Sequence, residues 1–111
     1  RRGVVFSERQ KWDAQLVEQY LNRLDESFRL YVLREYVVPA TSWSTTKTYN
    51  AVGKKDRRHF YKYKESLRRT LRELDRAKGS IQTVDSADCE QLTQICRKAV
   101  DQMWQSKRGR V

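Results

Sequence analysis

The chain has 111 residues, the length of one domain, and is 38% hydrophobic and 34% charged, with four Gly and a single Pro. So little apolar material folds only if it is segregated onto one face of each element, and so few breakers favour long helices over many short strands. The net charge of +10 points to an anionic partner, and no apolar run approaches the roughly 18 residues of a membrane span. No charged-then-apolar signal segment opens the chain, and without an initiator Met the start reads as a processed or trimmed end.

Ser7-Glu8-Arg9-Gln10 fits a capping box, and no Gly or Pro follows until Pro39. Val17, Leu21, Leu24, Phe28 and Tyr31 recur at helical spacing, flanked by Trp12, Leu16 and Tyr20 on one side and Leu30, Leu33 and Val37 on the other. This predicts an amphipathic helix of about 30 residues, near 45 Å long at standard rise. Pro39 ends it by removing a donor and biasing Val38 away from helix. Residues 39–55, PATSWSTTKTYNAVGKK, are rich in Ser and Thr, with Trp43 and Tyr49 as the large apolar groups. Those aromatics need something to pack on, so the segment reads as a long connection over the bundle, with a short helical turn possible within Thr45–Val52.

Asp56 suits the N-cap of a second strong helix, in which Phe60, Leu67, Leu74 and Ile81 recur every seven residues with Tyr63 and Leu71 between them. Gly79 stands where a left-handed C-cap would end it. Asp85 is placed to cap the last helix, with Asp88 in its first turn. Cys89, Leu92, Cys96, Ala99 and Met103 then form one buried line, flanked by Ile95, Val100 and Trp104. The ending SKRGRV reads as a basic, mobile tail. On one helix, Cys89 and Cys96 lie on one face roughly 10 Å apart along the axis. A disulfide requires less than about 7 Å between Cα atoms, so the pair reads as two unbridged, small buried hydrophobes. The expected fold is all-α: residues 1–111 form a single up-down helical bundle of three strong helices and a possible fourth short one.

No catalytic constellation is present, so the chain reads as non-enzymatic. His59 stands alone in a basic patch and reads as a surface or capping residue. Two cysteines and one distant histidine make a poor zinc site. Gly53-Lys54-Lys55 lacks the frame of a phosphate-binding loop, so no cofactor is expected. The acidic pairs Asp25-Glu26 and Glu73/Asp75 read as charge balance on solvated faces.

Residues 54–78 hold eleven basic and four acidic side chains, against eight and six in residues 1–53 and five and four in residues 79–111. This stripe admits three readings. Its Lys and Arg stems could solvate an amphipathic helix. They could bind nucleic-acid phosphates, with Tyr61 or Tyr63 stacking on bases, although no helix-turn-helix, RNA-binding strand motif or zinc finger is present. They could instead dock on an acidic protein surface or an anionic head-group layer, with Arg forks engaging carboxylates.

The stretch LRRTLRELDRAKGSIQTVDSADCEQLTQICRKAVDQMW is similar to the last two helices of the Q-type extrinsic proteins of photosystem II, the PsbQ family. It shares a leucine-repeat helix ending in Leu-Asp-x-Ala, here Leu74, Asp75, Arg76 and Ala77, followed by a short turn and a final amphipathic helix. FRLYVLREYVV resembles the family's helix before the loop, with its Leu-Arg element at Leu33-Arg34. The resemblance implies a non-catalytic four-helix up-down bundle in the thylakoid lumen, peripheral to the membrane. Such a subunit covers the oxygen-evolving core and helps retain calcium and chloride without ligating them. The fourth helix would have to be fused into the first or hidden in 39–55. Charge and face, independently of the family, select Lys54, Lys55, Arg57, Arg58, Lys62, Arg68, Arg69, Arg72 and Arg76 as the partner-binding residues.

Overall fold

The computed structural model of the chain describes residues 13–108. The first helix, α1 (Ala14–Tyr36), begins where the Asp13 carboxylate accepts the Leu16 N–H at 2.8 Å, a side-chain cap for an otherwise unpaired donor. The Ser7–Gln10 capping box and Trp12 lie outside the described residues. Val17, Leu21, Phe28, Val32 and Tyr36 form its buried stripe, whereas Leu16 is exposed. The helix stops at Tyr36, before Pro39. Val37 turns into the left-handed region (φ 54°, ψ 47°), its N–H reaching the Leu33 carbonyl at 2.9 Å. A β-branched residue is strained there by about 1–3 kcal/mol. This conformation directs Val37 outward, so it does not join the apolar flank that periodicity assigns to it.

The Ala40 N–H reaches the Val38 carbonyl at 2.5 Å, closing a tight turn around Pro39. The chain then returns along α1 to the level of Arg29. Ser44 caps α2 (Thr45–Lys55) by accepting the Lys47 N–H at 3.2 Å. The short turn expected here is thus a full helix, and it buries Thr48 and Val52. Asp56 ends α2 instead of starting the next helix. Its N–H bonds the Val52 carbonyl, its carbonyl accepts from His59 and Phe60, and its carboxylate accepts the Tyr63 hydroxyl at 2.5 Å. A buried phenol needs an acceptor more than a helix start needs this one. The chain therefore turns through residues 57–59 and a 3-10 segment (Phe60–Lys62) before α3 (Lys64–Lys78) begins.

Leu67, Leu71 and Leu74 of the heptad line are fully buried on α3. Gly79 ends the helix at φ −84°, not in the expected left-handed conformation. Its N–H still reaches the Asp75 carbonyl, and the chain runs directly into a second 3-10 segment (Ile81–Thr83). Asp85 and Asp88 then cap α4 (Ser86–Arg108) reciprocally: the Asp88 N–H donates to the Asp85 carboxylate at 2.9 Å, and the Asp85 N–H to the Asp88 carboxylate at 3.1 Å. The predicted line from Cys89 to Met103 is buried as expected. The mobile tail is not found over residues 106–108, which continue α4. Ser106 is buried, and the Lys107 ammonium donates to the Glu35 carbonyl at 2.6 Å and lies over the Tyr36 ring.

Cross-links fix the topology. The Tyr20 hydroxyl meets that of Thr93, and Lys107 meets Glu35, so α1 and α4 run parallel. Lys78 meets Asp25 and Ser66 meets Gln102, so α3 runs antiparallel to both. Thr45 meets Asp75 while Gly53 abuts Phe60, so α2 also opposes α3. Among the described residues the architecture is all-α, four helices in a bundle with no strand. One apolar cluster, around Phe28, Val32, Val52, Leu67 and Met103, fills the upper half. A smaller one, of Val17, Leu21, Ala77, Cys89 and Leu92, fills the lower half, and Leu24 packs against both.

At the return of the chain lies a buried polar network. Arg29, only 7% exposed, donates through Nε to Asp25 at 3.0 Å. Through Nη1 it donates to the Ala40 and Trp43 carbonyls, and through Nη2 to the Thr45 hydroxyl, each at 3.0 Å. Asp75 from α3 lies 3.6 Å from Nη2 and accepts from Thr45, while Lys78 donates to the second Asp25 oxygen at 3.0 Å. Two cations thus face two carboxylates. The assignment of Asp25 to a solvated face is corrected, since it is 8% exposed; Asp75 does stay exposed, while accepting from Thr45 and lying beside Arg29.

Arg29→Met leaves Asp25 to Lys78 alone and strands two carbonyls, so a loss of about 3 kcal/mol is expected in urea unfolding. A loss below about 1 kcal/mol would show that the network is not what holds the return segment. The glycines respond oppositely. A Cβ at Gly79 meets backbone oxygen no closer than 3.5 Å, so Gly79→Ala raises stability by about 0.5–1 kcal/mol. At Gly53 it meets the Phe60 ring at 3.0 Å, so Gly53→Ala lowers stability by about 1 kcal/mol through displacement of that ring from its edge contacts with Tyr49 and Tyr63. Thermal melts of the two variants check the signs.

Candidate docking surface

Residues advance about 100° apiece around a helix axis, which gives α3 three sides. Ser66 and Thr70 turn to α4, where they bond Gln102 and the Ile95 carbonyl. Asp75 and Lys78 turn to α1. The outer side is left to Glu65, Arg69, Arg72 and Arg76, with Arg68 on its flank; Arg69 to Arg76 spans roughly 10 Å of rise. Lys54 and Lys55 occupy the last turn of α2, where the helix dipole favours cations. Arg57 and Arg58 lie on the following turn and Lys62 on the 3-10 segment, so these five cations form a corner where α2 passes into α3.

All nine basic residues selected from sequence are exposed. Of these nine, only Arg76 has an ion partner among the described residues, Glu73. The acidic residues of the same stretch are disposed differently. Asp56 is buried against Tyr63, Asp75 is exposed but engaged by Thr45 and Arg29, Glu73 is half-buried beside Arg76, and Glu65 is exposed. The fold therefore withdraws Asp56 from the surface on which the cations stand and gives Asp75 and Glu73 partners of their own.

Of the two tyrosines considered for base stacking, Tyr61 is 69% exposed, but Tyr63 is fully buried and cannot stack. Burial, then the bond to Asp56, pushes the Tyr63 phenol well above its ordinary range. His59 is half-buried at the start of the 3-10 segment. Cys89 and Cys96 are unbridged and buried. Burial, with the Asp25 carboxylate adding to it, pushes the Cys96 thiol up to about 12, and Cys89 is raised for the same first reason. Both are held in the protonated form, which is a poor nucleophile. Among the described residues no three His, Cys, Asp or Glu side chains converge as metal ligands, and no helix is long and apolar enough to cross a membrane.

Sequence reasoning missed an apolar depression lined by Val37, Pro39, Trp43 and Ala51 beside Lys54 and Lys55. The signal available for it was Pro39 following two valines, which marks a turn but not the direction in which Val37 faces. A second, larger groove between α1 and α4 is lined by Leu24, Phe28, Cys96 and Val100. No family model, no curated protein and no solved structure matches the chain.

The raised Cys96 value carries a pH consequence. Its folded value lies above its unfolded one, so the contribution is complete below the unfolded value and is lost as pH climbs from about 9 toward about 12. Urea midpoints of the native chain are expected to fall across that window. Cys96→Ala is less stable throughout but loses less with rising pH, and equal slopes for the two chains would refute the assignment.

Proposed function

We propose that this chain is a non-catalytic accessory subunit that seats its basic surface on the acidic face of a larger protein assembly. The observation that carries the reading is that eight of the nine selected cations stand exposed with no ion partner among the described residues. A charge arranged for solubility alone would be interspersed with the opposite sign. Here one local carboxylate, Asp56, is buried and another, Asp75, is engaged by Thr45 and Arg29, while the forks of Arg57, Arg58, Arg68, Arg69 and Arg72 are left to engage carboxylates in pairs. The resemblance noted in the sequence makes the lumenal side of photosystem II the first host to test, with the chain peripheral to the thylakoid membrane and stabilising the oxygen-evolving complex. The short α2 is a fourth helix, but it runs parallel to α1, as α4 does, so the order is not the alternating one that the resemblance implies.

One observation favours a second reading. Tyr61 is exposed next to Lys62 and close in sequence to Arg57 and Arg58, the combination of aromatic face and cations that holds single-stranded nucleic acid.

Association with salt-washed photosystem II membranes, measured by co-sedimentation against rising salt, tests the proposal. Arg69→Glu with Arg72→Glu is expected to weaken retention by about tenfold or more while far-UV circular dichroism stays unchanged, since like charges across an interface cost several kcal/mol. Retention indifferent to the double reversal contradicts the docking reading. Micromolar binding to oligonucleotides with a steep salt slope, and none to the membranes, transfers the function to the second reading.

A further inference from the structure

The depression beside the return segment is not explained by the α3 ridge. It has a volume of about 240 Å³ and is lined by Val37, Val38, Pro39, Trp43 and Ala51 together with Lys54 and Lys55. Ala51, Lys54 and Lys55 lie three and four residues apart, so one face of α2 supplies both apolar contact and two cations. The Lys47 ammonium stands 4.3 Å from the centre of the Trp43 ring, adding a third cation beside the same aromatic. No carboxylate is among the lining residues.

Val37 is the second observation. It is 72% exposed and holds a left-handed backbone that a glycine or asparagine would adopt at less cost. Within the isolated chain its branched side chain is unfavourable in both respects. A partner that covers it turns the exposure into burial, and strain at a binding surface is where such outliers concentrate.

We infer that the depression takes an acidic segment of a partner protein, seating one large apolar side chain between Val37 and Trp43 while flanking carboxylates meet Lys54, Lys55 and Lys47. The size fits a single side chain, below the roughly 300–1,000 Å³ of a small-molecule site. The surface is concave, which suits a projecting side chain better than a flat bilayer. Charge selects the flanking groups: three ammonium groups with no local carboxylate match acidic neighbours in the peptide. The inference deepens the docking reading and rests on it, giving a basic surface of broad reach one point of sequence specificity.

The test is titration of the isotopically labelled full chain with a short capped peptide carrying one leucine between glutamates, followed by amide chemical shifts. Shifts are expected at Val37, Trp43, Ala51 and Lys54. Affinity falls about tenfold in Val37→Gly, as burial of one such side chain would give, while the melting temperature of that variant rises. Binding is lost in Lys54→Glu with Lys55→Glu and is unchanged in Arg69→Glu with Arg72→Glu. A peptide with serine for leucine that binds equally well overturns the inference, as do shifts spread along α3, or no shifts at all. Occupation of the same residues by anionic phospholipid vesicles, or shifts that follow protein concentration alone, also overturns it in favour of a membrane or a second copy. If salt-washed membranes retain the chain in a manner sensitive to Arg69→Glu with Arg72→Glu but the peptide does not bind, only the depression is refuted. If retention ignores every reversal, the docking reading itself is what fails.

Discussion

The placement of everything after α1 depends on where Arg29 sends its hydrogen bonds. A guanidinium has five N–H donors in one plane, and this one gives four of them to a carboxylate of its own helix, two carbonyls of the returning chain and the hydroxyl that opens α2. Each acceptor belongs to a segment that periodicity alone leaves undirected. The return of residues 37–44 along α1 has few large apolar groups to hold it, and Arg29 substitutes directional bonds for burial. Lys78 and Asp75 extend the same network to α3, so three helices and a connection meet at one electrically balanced point. A lysine there, with a compact ammonium on a flexible stem, could not present the same planar fork.

The same arrangement shapes the outer surface. Asp25 and Asp56 are buried to balance Arg29 and to receive Tyr63, while Lys55, Arg57 and Arg58, next to Asp56 in sequence, are exposed. Neutralising the interior thus sharpens the sign of the exterior. Fold and docking surface are two results of one sorting of charge, which explains how a net +7 over residues 54–78 can stand on one corner and ridge without leaving an unpaired charge in the core.

Much of this was legible in sequence where the signal is local and periodic. The buried line of α4 from Cys89 to Met103, the α3 leucines, the Asp85 cap and the exposure of all nine basic residues follow from spacing and side-chain chemistry alone. What was not legible depends on partners distant in the chain. Asp56 looks like a helix start until Tyr63 claims it, and Asp25 looks solvated until Arg29 and Lys78 close on it. Gly79 suggests a left-handed cap, yet Val37 is the residue that adopts one. The length of α2 was hidden by its Ser and Thr content, since those residues weaken helix propensity and reveal themselves only when one of them, Ser44, is seen capping. The apolar depression was illegible for the same reason: its walls come from a turn and a helix brought together by Arg29.

The division of the apolar interior into two clusters, with Leu24 packed against each, gives the bundle unequal halves. The upper half carries four helices, the larger cluster and the ring stack of Tyr49, Phe60 and Tyr63; the lower half has three helices and five buried side chains. Cooperative units of unequal depth open at unequal cost, so amide exchange should proceed in steps, with the Val17–Leu21 and Cys89–Leu92 turns releasing their protons ahead of the Phe28–Tyr36 end. The corner bearing the cations belongs to the slower-opening half and would keep its shape while the far end breathes.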